Sequence, residues 1–266
     1  MIHRIVSALH TMRGQHGAAG RMSQGGTPPQ LPKRSEHPLL HYDDEEAARV
    51  AIATVEEFTM LSYQRLVTLW QQVQYLDGAG ISGSLVECGT WKGGASALMA
   101  LAHRQSGHTS RALHLFDSFQ GLPEPDQSSD GEMAASYAGQ RASGALRSIG
   151  KCVGTLEENK HVLTDLVQYP RSLIHYHVGW FQDTLRVVPE SIKSIALLRI
   201  DGDWYESTKI CLARLVPLVS PGGIVVIDDY GKWPGCRKAL DEFMRTLVRP
   251  LFLNHIDAAG RYFIVP

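Results

Sequence analysis

Apolar positions along residues 84–247 form short runs that alternate with segments of helical spacing. The short runs predict strands, and apolar residues three or four positions apart predict the helices between them. The predicted strands are 84–88, 111–116, 173–178, 195–200 and 224–227, and the predicted helices are 95–103, 153–167, 183–188, 207–218 and 235–247. Strands that alternate with helices imply right-handed crossovers and a parallel sheet with helices on both faces. The pattern therefore predicts an α/β fold.

Both ends of this region depart from the alternation. Residues 44–76 carry apolar residues at helical spacing, with acidic residues near the start, and predict a helical cover. Residues 251–256 and 261–265 predict two strands joined by a tight turn. An antiparallel last strand on a mostly parallel sheet is typical of the Rossmann-like S-adenosylmethionine (SAM) methyltransferase fold. A plain dinucleotide-binding fold would not need it.

Composition excludes several classes of protein. The chain has 266 residues, 44% of them hydrophobic, and a formal net charge of −1, which indicates a soluble domain without the basic surface expected of a nucleic-acid-binding protein. No apolar run approaches the roughly 18 residues that a membrane span requires. The four cysteines form no CxxC motif and predict neither a zinc site nor a disulfide framework. We therefore expect a cytoplasmic protein that acts on a small molecule.

The first 34 residues are basic, contain no acidic residue and include a stretch rich in Gly, Pro and Ser at 14–32. A transit peptide would have such a composition, but we favour a flexible basic extension at residues 1–38, followed by one domain at 39–266. Within that domain, residues 120–150 are rich in Gly and Ser and lack apolar periodicity. This stretch predicts a mobile loop on the acceptor side of the site.

Acidic residues follow the predicted strands. Glu87 belongs to the first strand, Asp201 and Asp203 follow the fourth, and Asp228 and Asp229 follow the fifth. In open α/β sheets, ligands bind outside the carboxyl ends of the strands, where the strand order reverses. Carboxylates that converge there repel one another unless protons or a cation neutralise them, and Mg²⁺ prefers oxygen ligands. The alternative for any single Asp is a helix cap.

A glycine turn follows the first strand. Its spacing, Gly89-x-x-x-Gly93-Gly94, lacks the second glycine of the dinucleotide fingerprint G-x-G-x-x-G, which lets the backbone approach a pyrophosphate. SAM has no pyrophosphate, so a turn preceded by Glu87 suits this cationic cofactor better. Asp117, after the second strand, is placed to accept hydrogen bonds from ribose hydroxyls. A purely structural turn and a helix cap are the alternatives for these two features.

Several motifs together resemble the macrocin O-methyltransferase family. They read DGDWYEST at 201–208, SPGG at 220–223, IDDYG at 227–231, PGCR at 234–237 and DEF at 241–243. The resemblance extends over residues 58–264. It implies a SAM- and Mg²⁺-dependent enzyme that methylates a sugar hydroxyl, or a related vicinal-diol hydroxyl, of a glycosylated natural product. It also suggests a homo-oligomer.

The resemblance implies roles for individual residues. Asp201, Asp228 and Asp229 would hold the metal, and Asp203 would be the general base. Together with the glycine turn and the strand ends, it gives a predicted SAM site of Thr59, Met60, Glu87, Gly89, Thr90, Gly93, Ser96, Asp117, Ser118, Gly179, Trp180 and Phe181.

Three other functions fit the sequence less well. A nicotinamide-dependent dehydrogenase would share the sheet and Asp117, but it would have no use for the aspartates at 201, 228 and 229. A binding protein on the same scaffold would normally have lost these acidic residues. A catechol-type, metal-dependent O-methyltransferase is the closer alternative, because Glu87 to Ser96 also fit its glycine motif. Its lysine base would lie one position after Asp203, where this chain has Trp204.

Overall fold

A seven-stranded sheet forms the centre of the protein. The computed structural model describes residues 45–266, so the predicted extension at 1–38 lies outside the described residues. The strands are β1 (Ser84–Cys88), β2 (Leu113–Asp117), β3 (Ile174–Val178), β4 (Ile195–Ile200), β5 (Val219–Ile227), β6 (Asn254–His255) and β7 (Arg261–Ile264). Their order in the sheet is β3-β2-β1-β4-β5-β7-β6.

The first five strands are parallel, β7 runs against them, and the short β6 pairs antiparallel with β7 at the edge of the sheet. β7 pairs antiparallel with β5, from Ile224 opposite Ile264 to Ile227 opposite Arg261. Every residue of β1 and β4 is buried, as expected for central strands covered on both faces. These findings confirm the predicted mostly parallel sheet with an antiparallel last strand. The strand order reverses between β1 and β4, which is where a ligand is expected.

Helices cover both faces of the sheet. They are α1 (Glu45–Val55), α2 (Tyr63–Gly78), α3 (Gly94–Gln105), α4 (Gln127–Tyr137), α5 (Leu156–Lys160), α6 (Phe181–Thr184), α7 (Tyr205–Leu215) and α8 (Pro234–Thr246). Neighbouring β4 residues point to opposite faces, so Leu197 packs with Leu98 of α3 in one apolar layer, and Leu198 packs with Leu212 of α7 in the other. No helix within residues 45–266 has both the length and the apolar character to cross a bilayer.

The predicted helical cover at 44–76 is two helices rather than one. Thr59 is extended, with φ −140° and ψ 149°, and ends the short turn that follows α1. The Ser62 side chain then caps α2 by accepting a hydrogen bond from the backbone N–H of Arg65. The polar residues at 59 and 62 interrupt the apolar spacing, and the segment between the helices reaches the functional cavity described below.

The stretch at 120–150 contains a helix, which the sequence pattern did not predict. Asp126 caps α4 by accepting from the N–H groups of Ser128 and Ser129, and Gly131 kinks the helix with φ 80°. The buried residues of α4 are Asp130, Ala134 and Ala135. Small alanines and a kink give little apolar periodicity, so the pattern resembled a loop.

Candidate active site

A cavity of about 390 Å³ lies at the carboxyl ends of β1 and β4. The predicted site residues that line it are Thr59, Met60, Glu87, Gly89, Thr90, Asp117, Ser118, Gly179, Trp180, Phe181, Asp201, Asp203, Asp228 and Asp229. Gly93 and Ser96 are not among its lining residues. The strand-end rule therefore brings nearly all the predicted residues to one place, from segments far apart in the chain.

Close backbone packing shapes the glycine turn. Gly89 has φ 86°, and a Cβ at this position would lie 2.0 Å from the backbone oxygen of Asp201. Gly93 has φ 87°, and a Cβ there would lie 2.6 Å from Oδ1 of Asn159. The Asn159 side chain donates to the Trp91 carbonyl at 2.7 Å and fixes the turn. Both glycines are thus required by packing, and only Gly89 also faces the cavity.

Asp117 supports this turn from the end of β2. Its Oδ2 accepts from the backbone N–H groups of Thr90 at 2.7 Å and Trp91 at 3.3 Å, and its Oδ1 accepts from that of Phe119 at 2.7 Å. Burial raises the pKa of Asp117, and these backbone hydrogen bonds oppose the rise. Asp117 therefore already holds the turn in place, and the predicted hydrogen bonds from ribose hydroxyls would be additional.

Arg199 on β4 connects Glu87 on β1 with Asp201 and Asp228, which follow β4 and β5. In the interior, its guanidinium contacts Glu87 Oε1 at 2.6 Å, Asp201 Oδ2 at 3.0 Å and Asp228 Oδ1 at 2.7 Å. The other Glu87 oxygen accepts from the Ser96 hydroxyl at 2.5 Å. Ser96 therefore contributes to the site by orienting the Glu87 carboxylate. Arg199 was not predicted as a site residue, although a charged residue inside an otherwise apolar strand was a signal for buried partners.

Three carboxylates form the acidic cluster of the site. Asp201, Asp203 and Asp229 each offer an oxygen, and these atoms lie within 4.8 Å of one another. Asp203 has φ 53°, so the backbone turns after β4 instead of continuing as an extended strand. This turn brings Asp203 beside Asp201. This set differs from the predicted metal ligands Asp201, Asp228 and Asp229 by one residue.

Asp228 makes ion pairs with two arginines instead. Its Oδ1 contacts Arg199, and its Oδ2 lies 2.6 Å from Nη1 of Arg65 on α2. Arg65 also contacts Asp257, in the turn before β7, at 2.7 Å. The two guanidinium groups neutralise Asp228, whereas no such ion pair reaches Asp203 or Asp229 within residues 45–266. Arg65 and Asp257, which the sequence did not indicate, line the cavity as well.

The acidic cluster has the properties of a cation site. Burial, and next the charge of Asp201, raise the pKa of Asp203 to about 7. Burial and the neighbouring aspartates raise the pKa of Asp229 well above its usual range. Oδ2 of Asp229 is buried and has no hydrogen-bond partner among the described residues. A dication with oxygen ligands would satisfy this atom and remove the repulsion, so the residues fit a metal such as Mg²⁺.

Aromatic residues border Asp203. The Trp233 indole N–H donates to Asp203 Oδ1 at 2.7 Å, and Tyr137, Cys152 and Lys232 line the same part of the cavity. Trp204 is 2% exposed and donates to the Pro123 carbonyl at 2.9 Å. Trp204 is therefore a core residue. Trp233, which orients Asp203, was missed because a tryptophan before a predicted helix has no specific sequence signal.

Comparisons with known proteins agree on one family. The family model for macrocin-O-methyltransferase (TylF) matches residues 40–264. Demethyldecarbamoylnovobiocin O-methyltransferase of Streptomyces niveus is 38% identical over 204 residues, 77% of this chain and 74% of that protein. Mycinamicin III 3''-O-methyltransferase of Micromonospora griseorubida is 30% identical over 190 residues, 70% of this chain and 69% of that protein. The solved structure of the O-methyltransferase NovP superposes with a TM-score of 0.70 and 31% identity, covering 83% of this chain and 97% of NovP.

Proposed function

The chain belongs to the macrocin O-methyltransferase family and is a SAM-dependent O-methyltransferase; we propose that it methylates a sugar hydroxyl, or a related vicinal-diol hydroxyl, of a glycosylated natural product, with the help of a divalent metal. The observation that carries the metal-dependent part of this proposal is the acidic cluster of Asp201, Asp203 and Asp229 in the cavity. It remains a prediction that the protein is cytoplasmic, that it forms a homo-oligomer and that it has no nucleic-acid or membrane partner.

The names of the relatives support a sugar acceptor. One relative is a 3''-O-methyltransferase of mycinamicin III. Another, from Streptomyces olivaceus, is named for 4'-O-methylation of a tetracenomycin that carries a dimethoxy-rhamnosyl group. These names describe those proteins, and they place sugar hydroxyls first among the candidates for this chain.

We propose Asp201 and Asp229 as metal ligands, because both belong to the predicted set and to the observed cluster. A bound Mg²⁺ would act as a Lewis acid that makes a sugar hydroxyl easier to deprotonate. Asp228 belongs to the predicted set only. Its ion pairs with Arg65 and Arg199 give it another role, which is to hold both guanidinium groups in position.

Asp203 is the proposed general base. A free sugar hydroxyl is almost entirely protonated at neutral pH and is a poor nucleophile, so the reaction needs a group that removes the proton. Asp203 lines the cavity beside the proposed metal ligands, so its carboxylate is placed to accept this proton. The hydrogen bond from Trp233 fixes one oxygen of Asp203 and leaves the other for the acceptor. With SAM bound, the cavity walls would hold the methyl donor and the acceptor oxygen in line.

An aryl diol is the second candidate acceptor. The glycine motif at Glu87 to Ser96 favours it, since catechol-type enzymes have the same spacing. The residue after Asp203 argues against it, because Trp204 is packed in the core and cannot replace the lysine base of those enzymes. An aspartate base beside the proposed metal ligands fits the sugar enzymes better.

A panel of acceptors tests the proposed function. The purified enzyme is incubated with SAM, Mg²⁺ and glycosides of natural products whose sugars carry vicinal hydroxyls, and in parallel with catechols. We expect a sugar product that has gained one methylene in mass, with no gain when a chelator is present. Methylation of catechols alone would contradict the sugar assignment, and full activity in the chelator would contradict the metal.

A further inference from the structure

A second cleft, of about 330 Å³, lies beside the active-site cavity. Its lining residues are Lys232, Pro234, Arg237, Lys238, Asp241 and Arg245. Lys232 lines both the cleft and the cavity, so the two are adjacent. A molecule whose reacting end lies near Asp203 could therefore extend into the cleft. We call it the basic cleft.

The basic cleft carries an excess of positive charge. Its four basic residues are exposed, and none forms an ion pair with a carboxylate within residues 45–266. Asp241 is the acid in the lining, and its Oδ1 accepts a hydrogen bond from the Tyr230 hydroxyl at 2.9 Å.

Three of these cations lie over aromatic rings. Lys232 Nζ lies 5.0 Å from the Trp233 ring centroid, the Arg237 guanidinium lies 5.3 Å from that of Tyr230, and Lys238 Nζ lies 4.6 Å from that of Tyr205. Cation–π contacts at exposed sites are weak, so they favour these positions of the side chains without fixing them. The cations therefore lie around one concave surface.

We propose that the basic cleft binds an oxyanion group carried by the acceptor next to the sugar that is methylated. This inference rests on the proposed function, because the sugar must lie beside Asp203 for the charged group to reach Lys232 and α8. Arginine matches the planar, paired oxygens of phosphates and carboxylates, and lysine adds a point charge. The oxyanion could be the diphosphate of a nucleotide-activated sugar or an ionised acidic group on an aglycone.

Binding of inorganic pyrophosphate tests the cleft without any methyl transfer. The enzyme is loaded with S-adenosylhomocysteine, kept free of divalent metal and titrated calorimetrically. We expect Arg237→Gln/Lys238→Gln to weaken pyrophosphate binding about ten-fold or more, and the wild-type affinity to fall as salt rises. The control is Arg171→Gln/Lys193→Gln, which changes an exposed Arg and an exposed Lys near the starts of β3 and β4, at the amino ends of the strands and away from the carboxyl end where Lys232 lies. Equal affinities in the wild type and the Arg237/Lys238 variant would overturn the proposal.

Three acceptors that carry the same sugar then identify the source of the charge. They are a nucleoside diphosphate sugar, a glycoside with an ionised acidic aglycone and an uncharged methyl glycoside. For whichever charged form is the substrate, we expect Arg237→Gln/Lys238→Gln to lower its kcat/KM relative to the methyl glycoside by about ten-fold. An unchanged ratio would overturn the link between the cleft and the acceptor. If the wild type methylates none of the sugars, the proposed function fails, and the pyrophosphate titration still decides the cleft.

Discussion

Replacing Asp203 with Asn is expected to lower turnover by about 10²- to 10⁴-fold while SAM binding stays close to that of the wild type. The amide has nearly the same size as the carboxylate, and its oxygen can still accept from the Trp233 indole. It cannot take a proton from a sugar hydroxyl. The expected loss is therefore in the chemical step, and the cavity that surrounds the cofactor is preserved.

Single-turnover kinetics and a SAM titration measure this prediction. The control is Asp183→Asn, which changes a half-exposed carboxylate of α6 that is not among the lining residues of the cavity. Near-normal turnover in Asp203→Asn would mean that another group is the base. Loss of SAM binding together with turnover would instead make Asp203 a structural residue of the cavity.

Arg199→Met is expected to lower the free energy of unfolding by about 3–5 kcal/mol, because it leaves buried carboxylates without their cation. Glu87, Asp201 and Asp228 all contact this guanidinium, whose side chain is only 3% exposed. Methionine fills a similar volume, so the effect isolates charge from packing. Arg199→Lys keeps the charge but loses the paired geometry of the guanidinium, and we expect a smaller loss.

Denaturant unfolding of the three proteins measures this effect. Arg186→Met is the control, since Arg186 makes an exposed ion pair with Asp183 at 3.5 Å, and we expect little change there. If Arg199→Met were as stable as the wild type, the buried network would contribute nothing to folding. The contacts of Arg199 with Glu87, Asp201 and Asp228 would then not stabilise the folded protein.

The central strands were predictable because each is a short, mostly apolar run that is buried on both faces of the sheet. β4 illustrates this, since the predicted range 195–200 and the observed range Ile195–Ile200 coincide. α4 was missed because its stability comes from a capping Asp126, two small alanines and the contact of Asp130 with the Tyr205 backbone. Such helices depend on tertiary contacts, which leave no period in the sequence.

The candidate site was predictable where a residue type and a strand end coincide. This rule found the aspartates after β4 and β5. It could not assign their partners, because Glu87 and Arg199 are 112 residues apart, and Arg65 and Asp257 are 192 residues apart. It also could not show that Asp203, rather than Asp228, joins the acidic cluster. The ion pairs of Asp228 with arginines and the left-handed backbone of Asp203 appear only in the folded chain.

Calorimetric titration of the S-adenosylhomocysteine-loaded enzyme with Mg²⁺ tests the central claim most directly. The account predicts saturable binding by the wild type and an affinity lower by about 10- to 100-fold or more in Asp229→Asn. A comparable loss of Mg²⁺ affinity in Asp228→Asn would make Asp228 a metal ligand. An unchanged affinity would limit its role to the ion pairs with Arg65 and Arg199. Equal binding by the wild type and Asp229→Asn, or no binding by either, would contradict a metal site at the acidic cluster.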